Sequence, residues 1–195
     1  MSGSLRTTIS CQRRAESSTG MVLTTESLEC SVPTNMLYPK ISIITPSYNQ
    51  GEFLEQTLQS VICQSYPNLE YIVVDGGSSD NSLAIIKKYE PWLHRWCSEP
   101  DGGHASALKK GFKWSSCEIM CWINSDDMLA PWSLKAVADI FMRFPHVNWI
   151  QGYASAWCSS GFMTSSYPNN RCIYDFLVSS NSFIQQESTF WRRSL

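Results

Sequence analysis

Tyr71-Ile72-Val73-Val74-Asp75-Gly76-Gly77-Ser78-Ser79-Asp80 decides the fold. Its first four residues are aromatic or mostly β-branched, with no polar interruption, and read as an all-apolar strand. Asp75-Gly76-Gly77 stops that strand in a turn. Ser79-Asp80-Asn81-Ser82 then offers N-cap residues to a helix bearing Leu83, Ile85, Ile86 and Tyr89. The same grammar holds upstream. Ile41-Ser42-Ile43-Ile44-Thr45 is a β-rich run closed by Pro46. Residues 52–63 follow with Phe53, Leu54, Thr57, Leu58, Val61 and Ile62 at helical spacing, until Pro67-Asn68 breaks the helix.

Downstream the alternation continues. Trp96-Cys97-Ser98 is a short strand, residues 104–115 are helical, and Glu118 to Ile123 is another apolar strand. Pro131 sits at a helix start, residues 132–143 are amphipathic, and Val147 to Ile150 reads as a strand. Beyond Tyr153 the signal thins into aromatic and Ser-rich segments, with one helix expected near Ile173–Val178. Strands alternating with helices predict an α/β fold: a mostly parallel sheet with helices on both faces.

Composition sets the outer limits. With 43% apolar and 16% charged residues in 195, the chain can bury a core and is not globally disordered. Lys plus Arg number 15 against 17 Asp plus Glu, so the net charge of −2 excludes a basic nucleic-acid footprint. No apolar run approaches the ~18 residues of a membrane span. The eight cysteines, Cys11, Cys30, Cys63, Cys97, Cys117, Cys121, Cys158 and Cys172, form no CxxC pair and no zinc spacing. Nothing resembling a secretory signal precedes the domain, so a reducing, cytoplasmic setting is expected.

Residues 1–38 read as a flexible N-terminal tail. They are rich in Ser and Thr and carry Arg6, Arg13 and Arg14 without a sustained period. Glu16, Glu26 and Glu29 argue against a transit peptide. Residues 39–195 make the domain.

In open α/β sheets, ligands bind beyond the carboxyl ends of the strands. Here those positions are Thr45-Pro46-Ser47-Tyr48-Asn49, Asp75-Gly76-Gly77-Ser78, Glu99-Pro100-Asp101-Gly102-Gly103 and Asn124-Ser125-Asp126-Asp127. Clustered carboxylates repel unless something positive lies among them. Asp126-Asp127 at a strand end, without His or Cys, suits Mg²⁺ or Mn²⁺ completed by substrate phosphates. The same pair also suits an N-cap for the following helix. Asp75 is either a turn residue or an acceptor for a base or ribose. Gly102-Gly103 is either a turn or a backbone that lets a ligand come close. Lys109 and Lys110 are a solvated face, or one of them meets a diphosphate. His104 lies inside the third strand-end loop, unlike His94 and His146. No GxxxxGK[ST] loop, GxGxxG turn or GxSxG elbow is present. A two-metal nucleotidyltransferase would need a Gly-rich phosphate loop near the N-terminus, which is not seen.

Ile41-Ser42-Ile43-Ile44-Thr45-Pro46-Ser47-Tyr48-Asn49-Gln50 followed by Tyr71–Asp80 resembles the opening of family-2 glycosyltransferases of the GT-A, Rossmann-like fold. Glu99–His104 with Lys110-Gly111, then Asn124–Asp127, then Gln186-Glu187-Ser188-Thr189-Phe190-Trp191-Arg192-Arg193 continue the resemblance in order, over about residues 39–193.

The resemblance implies inverting transfer of a sugar from a nucleotide-diphosphate donor to a hydroxyl of a glycan or lipid-linked acceptor, as in polysaccharide biosynthesis. A lipid-linked acceptor would bring peripheral association with a membrane. By similarity, Thr45, Pro46 and Tyr48 line the nucleotide pocket, and Asp75 binds the base. The Asp101–Gly103 loop covers the nucleotide, and Asn49, Gly76, Lys110 and Asn124 complete the nucleotide-sugar set. Asp126 with Asp127 holds Mn²⁺ or Mg²⁺ on the diphosphate. Glu187 is the candidate catalytic carboxylate, near the acceptor side.

The chain departs from the family pattern in four places. Asn124 stands where Asp is frequent, Gly102 and His104 replace the usual residues of the third loop, and Lys109 replaces an Asn. The family's usual base lies on a helix after the Phe-Trp-Arg-Arg segment, whereas this chain ends at Leu195, so the domain is expected to be C-terminally incomplete. The alternative expectation is therefore a sugar-nucleotide-binding remnant without its base.

Overall fold

The computed structural model describes residues 38–158, 162–167 and 184–195. The chain divides into Met1–Met36 and Leu37–Leu195, and every described residue belongs to the second unit. All of the expected tail but Tyr38, and the helix expected near Ile173–Val178, lie outside the described residues.

Strands β1 (Ile41–Ser47), β2 (Leu69–Asp75), β3 (Arg95–Ser98) and β4 (Ile119–Trp122) alternate with helices α1 (Leu54–Ile62), α2 (Ser82–Tyr89) and α3 (His104–Trp114). These four strands are parallel, in the order β3-β2-β1-β4. Helix α4 (Ser133–Arg143) leads to β5 (Trp149–Gln151), and β6 (Ala154–Trp157) pairs antiparallel with β7 (Met163–Tyr167) as a separate ribbon. The last strand, β8 (Thr189–Arg192), inserts antiparallel between β4 and β5. The sheet is thus mostly parallel, as its alternating sequence predicts. Strands β6, β7 and β8 are additions to that reading, and β5 is not the neighbour of β4.

Strand periodicity puts helices on both faces. Ile41, Ile43, Tyr71, Val73, Ile119 and Cys121 pack against Leu54, Leu58 and Val61 of α1, Ile85 and Ile86 of α2, and Leu134, Val137, Ala138 and Phe141 of α4. Ile44, Ile72 and Val74 face the other way, onto Ala107, Leu108 and Phe112 of α3. β8 obeys the same alternation. Phe190 joins the first cluster, while the Trp191 ring lies 5.7 Å from Phe112 and 5.5 Å from Trp122. Gly111 lets α3 sit close to the sheet, because a Cβ there would fall 2.4 Å from Ile44 Cγ2. Cys63, Cys97, Cys117 and Cys121 are free thiols. No helix among the described residues is long and apolar enough to cross a membrane.

The run expected to cap α2 does so through Asp80, whose Oδ1 accepts from Ser82 N at 2.9 Å, while Asn81 makes no side-chain cap bond. Asp126 and Asp127 do not cap α4, which starts at Ser133 behind a turn containing Pro131.

Candidate functional site

The loops after β1, β2, β3 and β4 converge at the carboxyl edge of the sheet around a cleft of about 620 Å³. β1 contributes Pro46, Ser47, Tyr48 and Gln50, and β2 contributes Gly76. Pro100, Asp101, Gly103, His104 and Ala107 come from the β3–α3 connection, and Asn124, Ser125 and Asp126 from the end of β4. The convergence follows from parallel pairing, which sends all four strands toward the same edge.

The cleft takes in seven of the thirteen sequence-predicted site residues: Pro46, Tyr48, Gly76, Asp101, Gly103, Asn124 and Asp126. Tyr48 is 62% exposed, so its ring is open to a flat ligand. Gly103 has φ 93° and nothing within 4 Å of where a Cβ would stand, so the backbone is bare toward the opening. Gly77, at φ 82°, packs its loop against Pro100.

The other six lie behind or beside the cleft wall. Thr45 is buried, with its hydroxyl 3.0 Å from the Tyr71 hydroxyl. Asp75 is fully buried and its carboxylate is engaged: Oδ2 accepts from Gly77 N, Ser78 N and Ser98 Oγ, and Oδ1 from Ser78 Oγ. It organises the loops after β2 and β3. Asn49 does the same for the first two loops, since its Oδ1 accepts from Ser79 N and its own N donates to Ser78 Oγ. Lys110 Nζ lies 2.7 Å from Glu99 Oε1. Asp127 and Glu187 lie toward the last strand.

A hydrogen-bonded row links three of these segments. His104 Nε2 lies 3.0 Å from Asn124 Oδ1, Asn124 Nδ2 donates to Asp127 Oδ2 at 3.2 Å, and Gln186 Nε2 donates to the same oxygen at 2.8 Å. Because the Asn124 amide nitrogen faces Asp127, its oxygen is left to accept from His104. Burial, then repulsion from Asp126, raises the Asp127 pKa. Asp126 is exposed, and no described group hydrogen-bonds its carboxylate.

The cleft is acidic. Asp101 and Asp126 line it, and no Lys or Arg does. Asp101 Oδ2 is buried without a partner. Among the described residues no three His, Cys, Asp or Glu side chains converge as a metal cage. Asp126, with the Asp127 carboxylate behind it, is a hard-oxygen donor set too small to saturate a metal. That matches the way Mg²⁺ and Mn²⁺ are held: by one or two carboxylates, waters and substrate phosphates.

A second pocket of about 310 Å³ opens between α4, β5, the β6–β7 ribbon and β8. Met128, Val137, Ile140, Ile150 and Phe190 make it apolar, and Glu187 is its acid. Glu187 Oε1 accepts from Gln185 Nε2, whereas Oε2 is buried without a partner. Burial is the main cause of its raised pKa.

Ser47, Gln50, Pro100, Ala107 and Ser125 line the cleft without having been assigned a role from sequence, although all but Ala107 stand in or directly beside the strand-end runs. Gln186 stands in the Gln186–Arg193 motif, but its bond to Asp127 spans 59 positions and carries no local signal.

The family model described as Glycosyl transferase family 2 matches residues 42–191. An uncharacterised glycosyltransferase of Mycobacterium tuberculosis is 39% identical over 90 residues, covering 46% of this chain and 34% of that protein. TuaG of Bacillus subtilis, named for teichuronic acid biosynthesis, is 36% identical over 92 residues, covering 46% of this chain and 36% of its own length. The matched part of the chain thus spans roughly a third of these curated relatives. Among solved structures, S. aureus TarS 1-349 in complex with UDP-GlcNAc superposes with a TM-score of 0.52 at 28% identity, over 56% of this chain and 33% of that one. The mannosyltransferase PcManGT of Pyrobaculum calidifontis, solved with GDP-Man and Mn²⁺, gives 0.58 at 22% identity, over 80% and 45%, a likeness of fold.

Proposed function

This chain belongs to glycosyl transferase family 2, and we propose that it moves a hexosyl group from a nucleotide-diphosphate donor to an acceptor hydroxyl, with inversion and with help from Mn²⁺ or Mg²⁺. One observation carries the metal dependence: the cleft that would receive a diphosphate is lined by Asp101 and Asp126 and by no Lys or Arg. Two anionic partners cannot share such a space without a cation between them. Asp126 would hold the ion, with Asp127 behind it. When bound, it would act as a Lewis acid that stabilises the negative charge gathering on the leaving diphosphate.

The chain's own residues divide the remaining work. Tyr48 and Pro46 offer a flat, exposed surface to the nucleobase, while the partnerless Asp101 Oδ2 seeks an N–H donor from it. Asp75 holds the loops that shape this surface, so its influence on the base is indirect. His104 and Asn124, joined to each other, border the space for the diphosphate and sugar. Glu187, in the second pocket, takes the proton of the acceptor hydroxyl. Its raised pKa makes it a stronger base than an exposed carboxylate. The hydroxyl oxygen bonds to the anomeric carbon as the bond to the diphosphate oxygen breaks. Attack from the face opposite the leaving group inverts that carbon.

Support for the donor class comes from the family and from TarS, whose structure holds UDP-GlcNAc. The second sequence reading, a remnant that binds donor without turnover, gains no support from the arrangement. Calorimetry with UDP-GlcNAc and GDP-Man, with and without Mn²⁺, tests the proposal. Metal-dependent binding of one donor is expected; absence of binding to both in Mn²⁺ would overturn it.

A further inference from the structure

Trp132 combines a backbone and a side chain that folding alone does not favour. Its φ of 62° and ψ of 9° are left-handed, a region bulky residues rarely enter. Ala130-Pro131-Trp132-Ser133 is a turn closed by Ser133 N donating to Ala130 O at 3.3 Å. Proline second and a left-handed residue third is the type II pattern, whose third place normally goes to Gly or Asn.

The turn is held from several sides. Ala130 O also accepts from Ser133 Oγ at 2.5 Å and from Gln64 Nε2 of the α1 flank at 3.0 Å. Leu129 N donates to Ser60 Oγ at 3.1 Å, and Trp132 O accepts from Ala136 N at 3.1 Å. Strained residues persist where the surroundings over-determine them, and they concentrate at binding sites.

Little of the indole is packed against the fold. It is 78% exposed, more than any other large apolar side chain among the described residues. Its place is specific. Ala130 and Ser133, on either side of it in the turn, line the second pocket, and Asp126, earlier in the same loop, lines the donor cleft. Tyr153, 64% exposed, lines that second pocket too.

We propose that Trp132 is an acceptor-recognition residue, a platform on which a sugar ring of a glycan acceptor stacks at the mouth of the second pocket. An indole face is broad and apolar, and a pyranose presents a face of C–H bonds with its hydroxyls at the rim. The pocket completes the match. The free Glu187 Oε2, Ser155 and Ser166 offer hydrogen bonds to sugar hydroxyls. A hydrocarbon chain would leave the Glu187 oxygen unpaired, which is costly in a buried site. The assignment rests on the transferase reading above.

The test uses the full chain, W132G and W132F. Calorimetry measures UDP-GlcNAc and GDP-Man with Mn²⁺ in one arm, and chito-, malto- and manno-oligosaccharides in another. A third arm measures binding to phosphatidylglycerol vesicles. W132G is expected to bind donor like the parent, to lose oligosaccharide affinity at least tenfold, and to melt no lower than the parent, since glycine relieves the left-handed backbone. W132F is expected to keep oligosaccharide affinity within about threefold. The proposal is overturned if no oligosaccharide binds the parent, if W132G binds one equally well, or if W132G loses only vesicle binding. Absence of donor binding in all three proteins sinks the transferase reading instead, and the oligosaccharide arm still judges the platform.

Discussion

Gln186 Nε2 donates to Asp127 Oδ2 at 2.8 Å, so the lead-in to the last strand grips one of the two adjacent acids at the end of β4. That grip divides the pair. Asp127 is engaged by Asn124 and Gln186, whereas Asp126 remains exposed in the cleft. Replacing Asp126 by Ala should weaken Mn²⁺-dependent donor binding at least tenfold, about 1.4 kcal/mol. Asp127→Asn, which keeps an accepting oxygen, should weaken it less. Calorimetry with and without Mn²⁺ checks both, and equal losses would show that the pair acts as one ligand set.

Tyr48, proposed above to stack on the nucleobase, is mostly exposed and contributes little to the core. Tyr48→Ala should lower nucleotide affinity by about 1–2 kcal/mol, the scale of an aromatic–base contact. The urea midpoint should stay unchanged. A fall in stability of the same size would instead make the ring a packing element.

Gly111 is a packing requirement in a motif read for function. A Cβ would meet Ile44, a fully buried β1 residue, at 2.4 Å. Gly111→Ala should cost about 1–3 kcal/mol of stability through overpacking, despite alanine's better helix propensity. Urea denaturation measures it. Because α3 also carries His104, donor affinity should fall alongside.

Glu187 links stability to pH. Burial raises its pKa, so as pH rises the unfolded chain releases this proton before the folded chain does. Its contribution to stability therefore declines from the ordinary carboxylate pKa up through the raised folded one. Glu187→Gln removes that loss. The variant should resist urea better than the parent at pH 7, with the difference fading at pH 4. It should also lose at least a hundredfold in turnover, the scale of general-base catalysis, with donor affinity unchanged.

Much of the fold is legible locally. Ile41–Thr45 and Tyr71–Val74 declare themselves because both faces of a central parallel strand are buried; the only polar side chains in the two runs besides the Tyr71 hydroxyl, Ser42 and Thr45, are themselves buried and hydrogen-bonded. Thr189–Arg192 does not, because its two faces do different jobs. Phe190 enters one core layer while Arg192 donates to the Val147 and Phe141 carbonyls, and Trp191 packs on the other layer while Arg193 reaches Cys117 O and Ser115 Oγ. Two arginines spent on backbone carbonyls read in sequence as a charged end, not as a strand. The site divides similarly. Strand-end position picks out Tyr48, Gly76, Asp101 and Asp126, but not that the Asp75 carboxylate is consumed by its own loops. Nor does sequence reveal the bond from Gln186 to Asp127, which exists only once β8 lies beside β4.

β8 enters the sheet between β4 and β5 although it is the last of the described strands, and β5 pairs with no other described strand. A chain lengthening from its N-terminus can therefore lay down β1 to β4, and with them the cleft at their carboxyl ends, from segments close together in sequence. The outer strand and the pocket holding Glu187 must wait for residues 189–192 to thread into place, a late and long-range closure. The side proposed to hold the donor is thus built from units close in sequence, whereas the side proposed to hold the acceptor rests on one long-range strand insertion.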